Sequence, residues 1–381
     1  MRICVVYDCL YPYSIGGAER WYRALAERLA AAGHDVTYLT MRQWAHGKHP
    51  AVPGVDVVAV GPRMHLYTGL RRRILPPLAF GLGVLMHLLR HGRRYEVVHT
   101  ASFPYFSLLA AGAARRLGRY RVFVDWHEVW TKEYWRDYLG RLGGAAGWRV
   151  QQRCVRVRQQ GFCFSRLHER RLREEGFRGE VTLLEGEYTG DLNGHEPLPP
   201  LPLVVFAGRL IPEKRAPSVV AAVAEARKRL PELQARIFGD GPEREAVLRT
   251  IAELGVGDAV DAPGFVEVDE VESSMREALC LLLPSRREGY GLVVVEASAA
   301  GTPSIVVRDP DNAATELVDD GENGFVAASA SPEDLAAAIV RVDQAGDDLR
   351  RSTAAWFRRN SRRLSLESSL EKVLAAYRAD G

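Results

Sequence analysis

Two glutamates lie eight positions apart in the stretch SRREGYGLVVVEASAAGTPSIVV, residues 285–307. Glu288 belongs to a tight turn in which Gly289 and Gly291 leave backbone N–H groups accessible, and a helix follows directly. The N-terminus of such a helix favours a phosphate group. Glu296 lies one to two turns further along. It could face solvent, but its apolar neighbours favour a mostly buried helix and a buried carboxylate. Because one carboxylate accepts hydrogen bonds from two hydroxyls, Glu296 suits the diol of a ribose.

Two cations follow an earlier apolar run. The stretch FAGRLIPEKR places Arg209 and Lys214 on one loop. An arginine binds phosphate oxygens as a bidentate fork and a lysine adds a point charge, so this pair suits a diphosphate. The alternative is a solvated surface pair. The next strand leads into FGDGPERE, where Gly239 and Gly241 indicate either a turn whose backbone reaches a ligand or an ordinary β-turn.

The first half of the chain holds two weaker signals. Gly16 and Gly17, in YSIGGAER, open a predicted helix and let a backbone approach a ligand closely. His127 follows the apolar run YRVFVDW. Each signal also has an ordinary explanation, since Gly-Gly forms tight turns and a lone histidine at a strand end is more often structural than catalytic.

An aromatic segment, DWHEVWTKEYWRDYLG, surrounds His127. Aromatic faces stack on sugar rings or lipid chains, and they equally form packed clusters beneath loops. The sequence leaves both interpretations open for Trp126, Trp130, Tyr134, Trp135 and Tyr138.

Short β-branched runs alternate with longer helical stretches along the chain, beginning with RICVVY, DVTYLT and VDVVAV. Apolar runs of this length separated by helices are typical of parallel strands covered on both faces. We therefore expect an α/β protein with two doubly wound, Rossmann-like parallel-sheet domains that face a cleft. The alternation is interrupted by GDLNGHEPLPPLP, which predicts a linker over residues 190–202 between domains 1–189 and 203–360.

The charge is unevenly divided between the two halves. Residues 1–190 hold 29 Lys and Arg against 16 Asp and Glu, whereas the rest holds 22 against 32. A basic half can face phosphates, an anionic membrane or an acidic substrate, and a general bias toward arginine would also produce it. The apolar window 74–89 is too short to span a bilayer, and we expect a buried helix there. A membrane-facing helix is the alternative, because arginines bracket the window, namely Arg71, Arg72, Arg73, Arg90, Arg93 and Arg94.

Cysteine usage bears on the compartment. The five cysteines are odd in number and form no C-x-x-C pair, which favours a reducing cytoplasm over a disulfide framework or a structural zinc. The first residues lack the length and cleavage pattern of a signal peptide. We therefore expect a cytoplasmic protein, with peripheral attachment to the inner face of the membrane as the open alternative.

The order of the motifs resembles glycosyltransferase family four over nearly the whole chain. The matching features are the Gly-Gly loop, a His after a strand, G-R-x-x-x-E-K, G-D-G-P and E-G-Y-G-L-x-x-x-E-A-x-A-x-G-x-P. The resemblance implies a retaining enzyme of the glycosyltransferase-B fold. Such an enzyme moves a sugar from a nucleoside-diphosphate sugar to a hydroxyl of a glycan, a glycolipid or a small metabolite. UDP-sugars and GDP-sugars both fit, and no metal cofactor is implied, although the chain contains one D-x-D at Asp309-Pro310-Asp311.

The resemblance also implies roles in the second domain. Arg209 and Lys214 would neutralise the donor diphosphate. Glu288 would contact hydroxyls of the transferred sugar, and Glu296 would bind the ribose. The backbone of the intervening turn would contact sugar or phosphate; its residues are Gly289, Tyr290, Gly291 and Leu292.

In the first domain, His127 would lie beside the donor sugar near the reacting carbon. Gly16 and Gly17 would line the acceptor side and approach the phosphates. The last segment, residues 361–381, would form a helix that packs back toward the first domain. One departure affects the donor: where the family often has a Gly-Gly-x-x-E loop, this chain has RDPDNAATELV.

Two other function classes remain open. A nucleotide-sugar epimerase of similar architecture would convert the donor without an acceptor, and a catalytically silent protein would bind the nucleotide sugar without turnover. A nucleic-acid binder would explain the basic first half but not the paired motifs of the acidic half, so we expect no nucleic acid partner.

Overall fold

The structure is a computed structural model that describes residues 1–14, 16–45, 47–65, 67–68 and 71–379, with the backbone alone at 67–68 and 71–72. The chain divides into two compact units. Unit 1 comprises Met1–Leu184 and Ser369–Gly381, and unit 2 comprises Glu185–Ser368. Each unit is an α/β body built on a parallel sheet, which confirms the predicted fold class.

Unit 1 alternates strands and helices in the predicted order. Its strands are β1 (Arg2–Val6), β2 (Asp35–Met41), β3 (Val55–Gly61), β4 (Tyr67–Thr68), β5 (Arg71–Arg72), β6 (Val97–Ala101), β7 (Arg121–Trp126), β8 (Gln160–Cys163) and β9 (Val181–Leu183). Its helices are α1 (Gly17–Ala31), α2 (Leu75–His91), a 3₁₀ turn (Gly92–Arg94), α3 (Tyr105–Gly118), α4 (Lys132–Val155) and α5 (Arg166–Glu174).

Seven strands of unit 1 form one parallel sheet in the order β3-β2-β1-β6-β7-β8-β9. The order reverses direction on either side of β1, where Ile3 pairs with Val36 on one side and Val97 on the other. In an open parallel sheet this reversal marks the edge at which ligands bind. The carboxyl ends of β1 and β6 flank this reversal, and β7, which leads to His127, is the next strand of the sheet.

Unit 2 repeats the plan. Its strands are β10 (Leu203–Ala207), β11 (Gln234–Phe238), β12 (Val260–Gly264), β13 (Cys280–Leu283), β14 (Arg287–Glu288), β15 (Ser304–Val307), β16 (Asp311–Asn312) and β17 (Gly324–Ala327). Its helices are a 3₁₀ turn (Pro212–Lys214), α6 (Ala216–Ala226), α7 (Arg244–Leu254), α8 (Val268–Glu277), α9 (Leu292–Ala299), a 3₁₀ turn (Ala313–Leu317) and α10 (Pro332–Leu364). The last helix, α11 (Leu366–Ala379), begins in unit 2 and lies mostly in unit 1.

The main sheet of unit 2 has the order β12-β11-β10-β13-β15-β17. Its strands carry nearly continuous apolar runs, and every residue of β13 and β15 is buried, as expected for strands covered on both faces. Residues 190–202 hold no helix or strand. They are attached to unit 2 by backbone bonds, such as the 2.8 Å bonds from His195 N to Ala299 O and from Leu201 N to Glu277 O.

Helix α2 corresponds to the apolar window 74–89. The prediction that this helix is buried is wrong for one of its faces. Phe80, Val84 and Leu88 are buried against the core of unit 1, whereas Leu78 and Leu82 are exposed. One buried face and one exposed face are what a helix lying on a sheet must have; the exposed face of this one is apolar. Among the described residues, no helix combines the length and the apolar character that crossing a membrane requires.

The close approach of α2 to the sheet depends on a glycine. A Cβ added at Gly83 would lie 1.8 Å from the backbone oxygen of Val60, in β3. We expect Gly83→Ala to lower the free energy of unfolding by about 1–3 kcal/mol, because the helix must move off the sheet. Urea unfolding followed by tryptophan fluorescence measures this, since six of the seven tryptophans belong to residues 1–184.

The matched control is Leu82→Ala, one position away on the exposed face of the same helix. It is expected to change the free energy of unfolding by less than about 0.5 kcal/mol. Equal losses in the two variants would contradict this packing of α2.

Candidate functional site

The predicted cations of unit 2 follow the carboxyl end of β10. Arg209 is exposed, and among the residues that the structure describes its side chain has no ion-pair partner. Lys214, at the end of the 3₁₀ turn, is largely buried, and its Nζ donates to Oε1 of Glu288. The neighbouring Arg215 pairs with Asp309, with 3.3 Å between Nη2 and Oδ2. Arg209 is therefore a cation of this loop whose charge is available to an anion.

Glu288 is buried and held from two sides. Ser285 Oγ donates to its Oε1 at 2.7 Å, and Lys214 donates to the same oxygen. The backbone at Glu288 is fixed by the two-residue parallel pairing of β14 with β16, where it lies opposite Asn312. Burying a carboxylate without a partner is costly, and the ammonium and the hydroxyl meet that cost here.

Asn312 was noted in the sequence only as a departure from a glycine-rich loop. Its buried side-chain amide donates to the backbone oxygens of Ser285 at 3.2 Å and Val307 at 2.9 Å. Its Oδ1 accepts from the N–H of Ala314 and so begins the 3₁₀ turn 313–317. Sequence analysis missed this positioning role because the bond to Ser285 joins residues 27 positions apart.

The turn between the two glutamates is rigid. Gly291 precedes α9 with φ of 105°, and a Cβ there would lie 2.7 Å from the Cβ of Ala314. Tyr290 is buried, and its hydroxyl donates to the backbone oxygen of Glu185 at 2.6 Å. Burial raises the pKa of Tyr290 far above its usual range, so the hydroxyl stays protonated. Helix α9 begins at Leu292, and its first N–H groups follow this fixed turn.

Glu296 lies one turn into α9. The helix is mostly buried, as predicted, but Glu296 itself is exposed, so the expectation that its carboxylate is buried is wrong. It is the one α9 position that the surrounding residues leave open to solvent. The pKa of Tyr188 is raised to about 12, first by burial and then by the charge of Glu296, which places this carboxylate near that ring.

Gly239 and Gly241 are explained by backbone packing. A Cβ at Gly239 would lie 1.9 Å from Gly208 O, and one at Gly241 would lie 2.5 Å from Leu210 O. Leu210 N also donates to Asp240 O at 2.9 Å. The Gly-Asp-Gly turn therefore supports the loop that carries Arg209. A direct contact of these two glycines with a ligand stays a prediction.

In unit 1, His127 follows β7 and is half-buried. Its ring stacks on Phe164, with 4.3 Å between centroids, and meets Tyr22 edge-on at 6.1 Å. Burial lowers the pKa of His127, and the charges of Asp125 and Glu128 oppose that shift. A neutral imidazole both donates and accepts hydrogen bonds, which suits contact with a sugar hydroxyl.

The Gly-Gly pair opens α1, as predicted. Gly16 is extended and precedes the helix, which begins at Gly17. A Cβ at Gly16 would lie 2.3 Å from a carboxylate oxygen of Glu19, which accepts from Ser14 Oγ at 3.1 Å through its other oxygen. A side chain at position 16 would therefore displace the Glu19 carboxylate from the start of α1.

A buried network that the sequence did not reveal joins β7, which precedes His127, to α1. Asp125, two residues before His127, is inaccessible, with its Oδ1 2.8 Å from Nε2 of His99. Its Oδ2 accepts from the indole N–H of Trp21, in α1, at 2.7 Å. The other ring nitrogen of His99 bonds the hydroxyl of Tyr377, in α11. One carboxylate thus fixes β7, β6 and α1 together, with α11 attached through His99.

The only signal for this network in the sequence was an aspartate inside the apolar run YRVFVDW. Burial alone would raise the pKa of Asp125. The charge and hydrogen bond of His99, and then His127 and Tyr22, outweigh burial, so the pKa of Asp125 lies below its usual value. The carboxylate is therefore charged in the folded protein at neutral pH.

The aromatic segment after β7 is a packed cluster. Trp130 lies 4.7 Å from both Tyr134 and Trp135, centroid to centroid, and the latter two are buried. Gln151 Oε1 accepts from Trp135 Nε1 at 3.0 Å and Tyr105 Oη at 2.9 Å. The sequence left two interpretations open, a ligand-stacking surface and a packed cluster beneath a loop. The packed cluster accounts for these contacts.

We expect Asp125→Asn to lower the free energy of unfolding of unit 1 by about 3 kcal/mol at neutral pH, because it replaces a buried carboxylate that accepts from Trp21 and lies 2.8 Å from His99. The folded-state pKa of Asp125 lies below its ordinary value of 3.8, so its stabilisation is complete above that value. It is lost as the pH falls through the lower folded-state pKa. Urea unfolding at a series of pH values should show the difference from wild type shrink only below about pH 4.

Asp56→Asn, an exposed aspartate in β3 of the same sheet, is the matched control. It should change the free energy of unfolding by less than about 0.5 kcal/mol at any pH. A deficit in Asp125→Asn that is independent of pH would contradict the role given to the charge.

Two family models match the chain, one on each part. The model for Glycosyltransferase Family 4 matches residues 15–186, and the model for Glycosyl transferases group 1 matches residues 195–354. Among curated relatives, the D-inositol 3-phosphate glycosyltransferase of a Nocardioides species is 32% identical over 191 residues. This alignment covers 46% of the chain and 41% of that relative, so it spans less than half of either protein.

Solved structures match over nearly the full length. The sucrose-phosphate synthase of Thermosynechococcus elongatus superposes with a TM-score of 0.80, covering 99% of this chain and 98% of that one at 20% identity. The Anabaena HepE protein, solved with UDP-glucose, superposes with a TM-score of 0.73 and covers 99% of each chain at 17% identity. At these identities the likeness establishes the fold, which is glycosyltransferase-B. The two family models together match most of the residues, and the chain belongs to glycosyltransferase family 4, of the group 1 type.

Proposed function

We propose that this protein transfers a sugar from a nucleoside-diphosphate sugar to an acceptor hydroxyl, with retention of the anomeric configuration and without a metal ion. The observation that carries the proposal is the group of charges at one edge of the unit 2 sheet. There the exposed Arg209, the Lys214–Glu288 pair and the first N–H groups of α9 all follow the carboxyl ends of strands. These groups match the charges and hydroxyls of a sugar diphosphate.

In the proposed reaction, the bond between the anomeric carbon and the diphosphate oxygen breaks, and the new bond forms to the acceptor oxygen. The acceptor hydroxyl gives its proton to the departing diphosphate oxygen. Negative charge develops on the diphosphate as it leaves. Arg209 and Lys214 stabilise that charge, together with the N–H groups that follow Gly291. Fixed donors of this kind lower the barrier because they need no reorganisation during the reaction.

Glu288 is proposed to bind the transferred sugar rather than to attack it. Its Oε1 already accepts from Lys214 and Ser285, which lowers the nucleophilicity of the carboxylate. Its second oxygen can accept from a sugar hydroxyl. Because no covalent intermediate is assigned to Glu288, we favour attack by the acceptor on the same face from which the diphosphate leaves.

No metal ion is part of the proposal. Among the described residues, no group of three or more His, Cys, Asp or Glu side chains is arranged to hold one. In the D-x-D stretch, Asp309 pairs with Arg215. Activity that survives a chelator would support this part of the proposal, and activity restored only by an added divalent ion would overturn it.

The donor and the retained configuration can be tested together. A thermal-shift series of UDP-sugars and GDP-sugars identifies the donor, because a ligand bound only to the folded state raises the melting temperature. Proton NMR of the product then gives the anomeric configuration. Incubation with donor alone separates transfer from epimerisation: a new nucleotide sugar formed without acceptor would overturn the proposal, as would binding without any transfer across an acceptor panel.

We expect Arg209→Ala to lower kcat/KM by about 10²–10³-fold, which corresponds to about 3 kcal/mol of lost transition-state stabilisation. Since Arg209 is exposed, the melting temperature of the free protein should not change. The matched control is Lys228→Ala, which removes an exposed cation just after the end of α6 in the same unit. Lys228 pairs with Glu225. A loss in kcat/KM of the same size in both variants would contradict a specific role for Arg209.

Substitution of the two glutamates should affect different kinetic parameters, KM for Glu296 and kcat for Glu288. Glu296→Gln is expected to raise the donor KM about tenfold with little change in kcat, because ribose binding is equal in ground and transition states. Glu288→Gln is expected to lower kcat at least about tenfold with a smaller change in KM. Steady-state kinetics with the identified donor measures both, and each variant serves as the control for the other. Unchanged activity in Glu288→Gln would show that its assigned role is wrong.

A further inference from the structure

Helix α2 exposes an apolar face that the proposed transfer reaction does not use. The exposed members lie at positions 75, 78, 82, 86 and 89, with spacings of three and four residues that keep them on one side of the helix. Between 43% and 63% of the surface of each is accessible, counting Ile74 just before the helix. We name this the α2 apolar face; its residues are Ile74, Leu75, Leu78, Leu82, Met86 and Leu89.

The opposite side of α2 is apolar as well. Phe80, Val84 and Leu88 pack into the core of unit 1. A surface helix usually places polar residues toward water, whereas Arg90 is the only polar residue among the exposed positions of α2. Contiguous exposed apolar surface beyond a few hundred Å² marks a surface that something else covers.

The charges along the stretch of chain that contains this face have one sign. No aspartate or glutamate occurs in residues 57–95, which hold seven arginines. Arg73 lies just before α2, and Arg90, Arg93 and Arg94 lie at its end; all four are exposed. The side chains of Arg71 and Arg72 lie outside the described residues. Burial, reinforced by His91 and Arg94, lowers the pKa of His87 to about 4, so at neutral pH the positive charge comes from arginine.

We propose that unit 1 docks on an anionic lipid bilayer through the α2 apolar face, with the flanking arginines on lipid phosphates. Arginine extends its stem along apolar surface while its guanidinium reaches the headgroups, so cations at both ends of an apolar face suit this position. Helix α2 has 17 residues and would lie in the plane of the interface, with its apolar side in the acyl boundary.

A second copy of the chain is a poorer occupant. A two-fold contact would bring the same surface of both copies together. An antiparallel α2 pair would then place Arg90, Arg93 and Arg94 of one copy near Arg73 of the other. With no acidic residue on the face, these like charges would repel, whereas an anionic bilayer supplies the opposite charge.

Co-sedimentation of the full chain with vesicles tests the proposal. One set contains phosphatidylcholine with about 30% phosphatidylglycerol, and the other contains phosphatidylcholine alone. We expect binding to the anionic set at low salt, weakened by high salt because screening acts on the arginine contacts. Absence of binding to the anionic set at low salt would overturn the proposal.

Two variants separate the apolar and the charged contributions. Leu78→Ser with Leu82→Ser should lower the partition coefficient at least about tenfold. Arg90→Gln with Arg94→Gln should lower it about fivefold for each arginine at low salt, and should reduce the salt dependence. All four residues are exposed, so the melting temperature should stay unchanged and the losses can be attributed to docking.

The matched control is Leu248→Ser with Leu254→Ser, two leucines of similar exposure on α7 of unit 2. This variant should bind vesicles as the wild type does. A loss equal to that of the α2 variant would overturn the proposal. So would a wild-type dimer in size-exclusion chromatography that Leu78→Ser with Leu82→Ser converts to monomer, since the face would then be an interface between copies.

A fluorescent label distinguishes insertion from adsorption. The five native cysteines are buried, so a thiol introduced by Leu82→Cys reacts selectively with an environment-sensitive dye. We expect the emission to rise and shift to the blue on anionic vesicles, with no change for the same dye at Leu248→Cys. An unchanged emission at position 82 on vesicles that sediment the protein would show that the apolar face does not enter the bilayer.

Discussion

A lysine ammonium held against a buried carboxylate is the interaction on which the unit 2 site depends. The Lys214–Glu288 pair joins the loop after β10 to the short strand after β13, and Ser285 completes it. Neither charged group could be buried alone at this point without a large loss of solvation. Together they fix the position of the Glu288 carboxylate, four residues before the start of α9.

The surrounding backbone keeps this pair in place. Asn312 ties the loops after β13 and β15, Tyr290 is fixed by its bond to Glu185, and the close backbone contacts of Gly239 and Gly241 support the Arg209 loop. None of these contacts requires a ligand. The site is therefore organised before any donor binds, which is the condition for stabilising developing charge without reorganisation.

Unit 1 uses a different device for the same purpose. Asp125 is inaccessible to water and receives hydrogen bonds from elements that are far apart in the chain, including Trp21 of α1. Through it, the position of His127 and the start of α1 are linked to His99 and, beyond it, to Tyr377 near the end of the chain. The surface of the same unit carries the α2 apolar face. Folding of unit 1 does not require these exposed positions to be apolar.

The sequence by itself determined the architecture and the chemical inventory. Apolar runs of five or six residues separated by helices specify parallel strands, and turn glycines with cations after those runs predict the edge where a ligand would bind, because both patterns are local. Tertiary structure decided which groups meet. The partner of Glu288, the support from Asn312 and the Asp125 network join residues distant in sequence. Likewise, apolar composition did not tell which side of α2 is covered or that Glu296 is exposed, since burial is set by what packs against a helix and not by the helix alone.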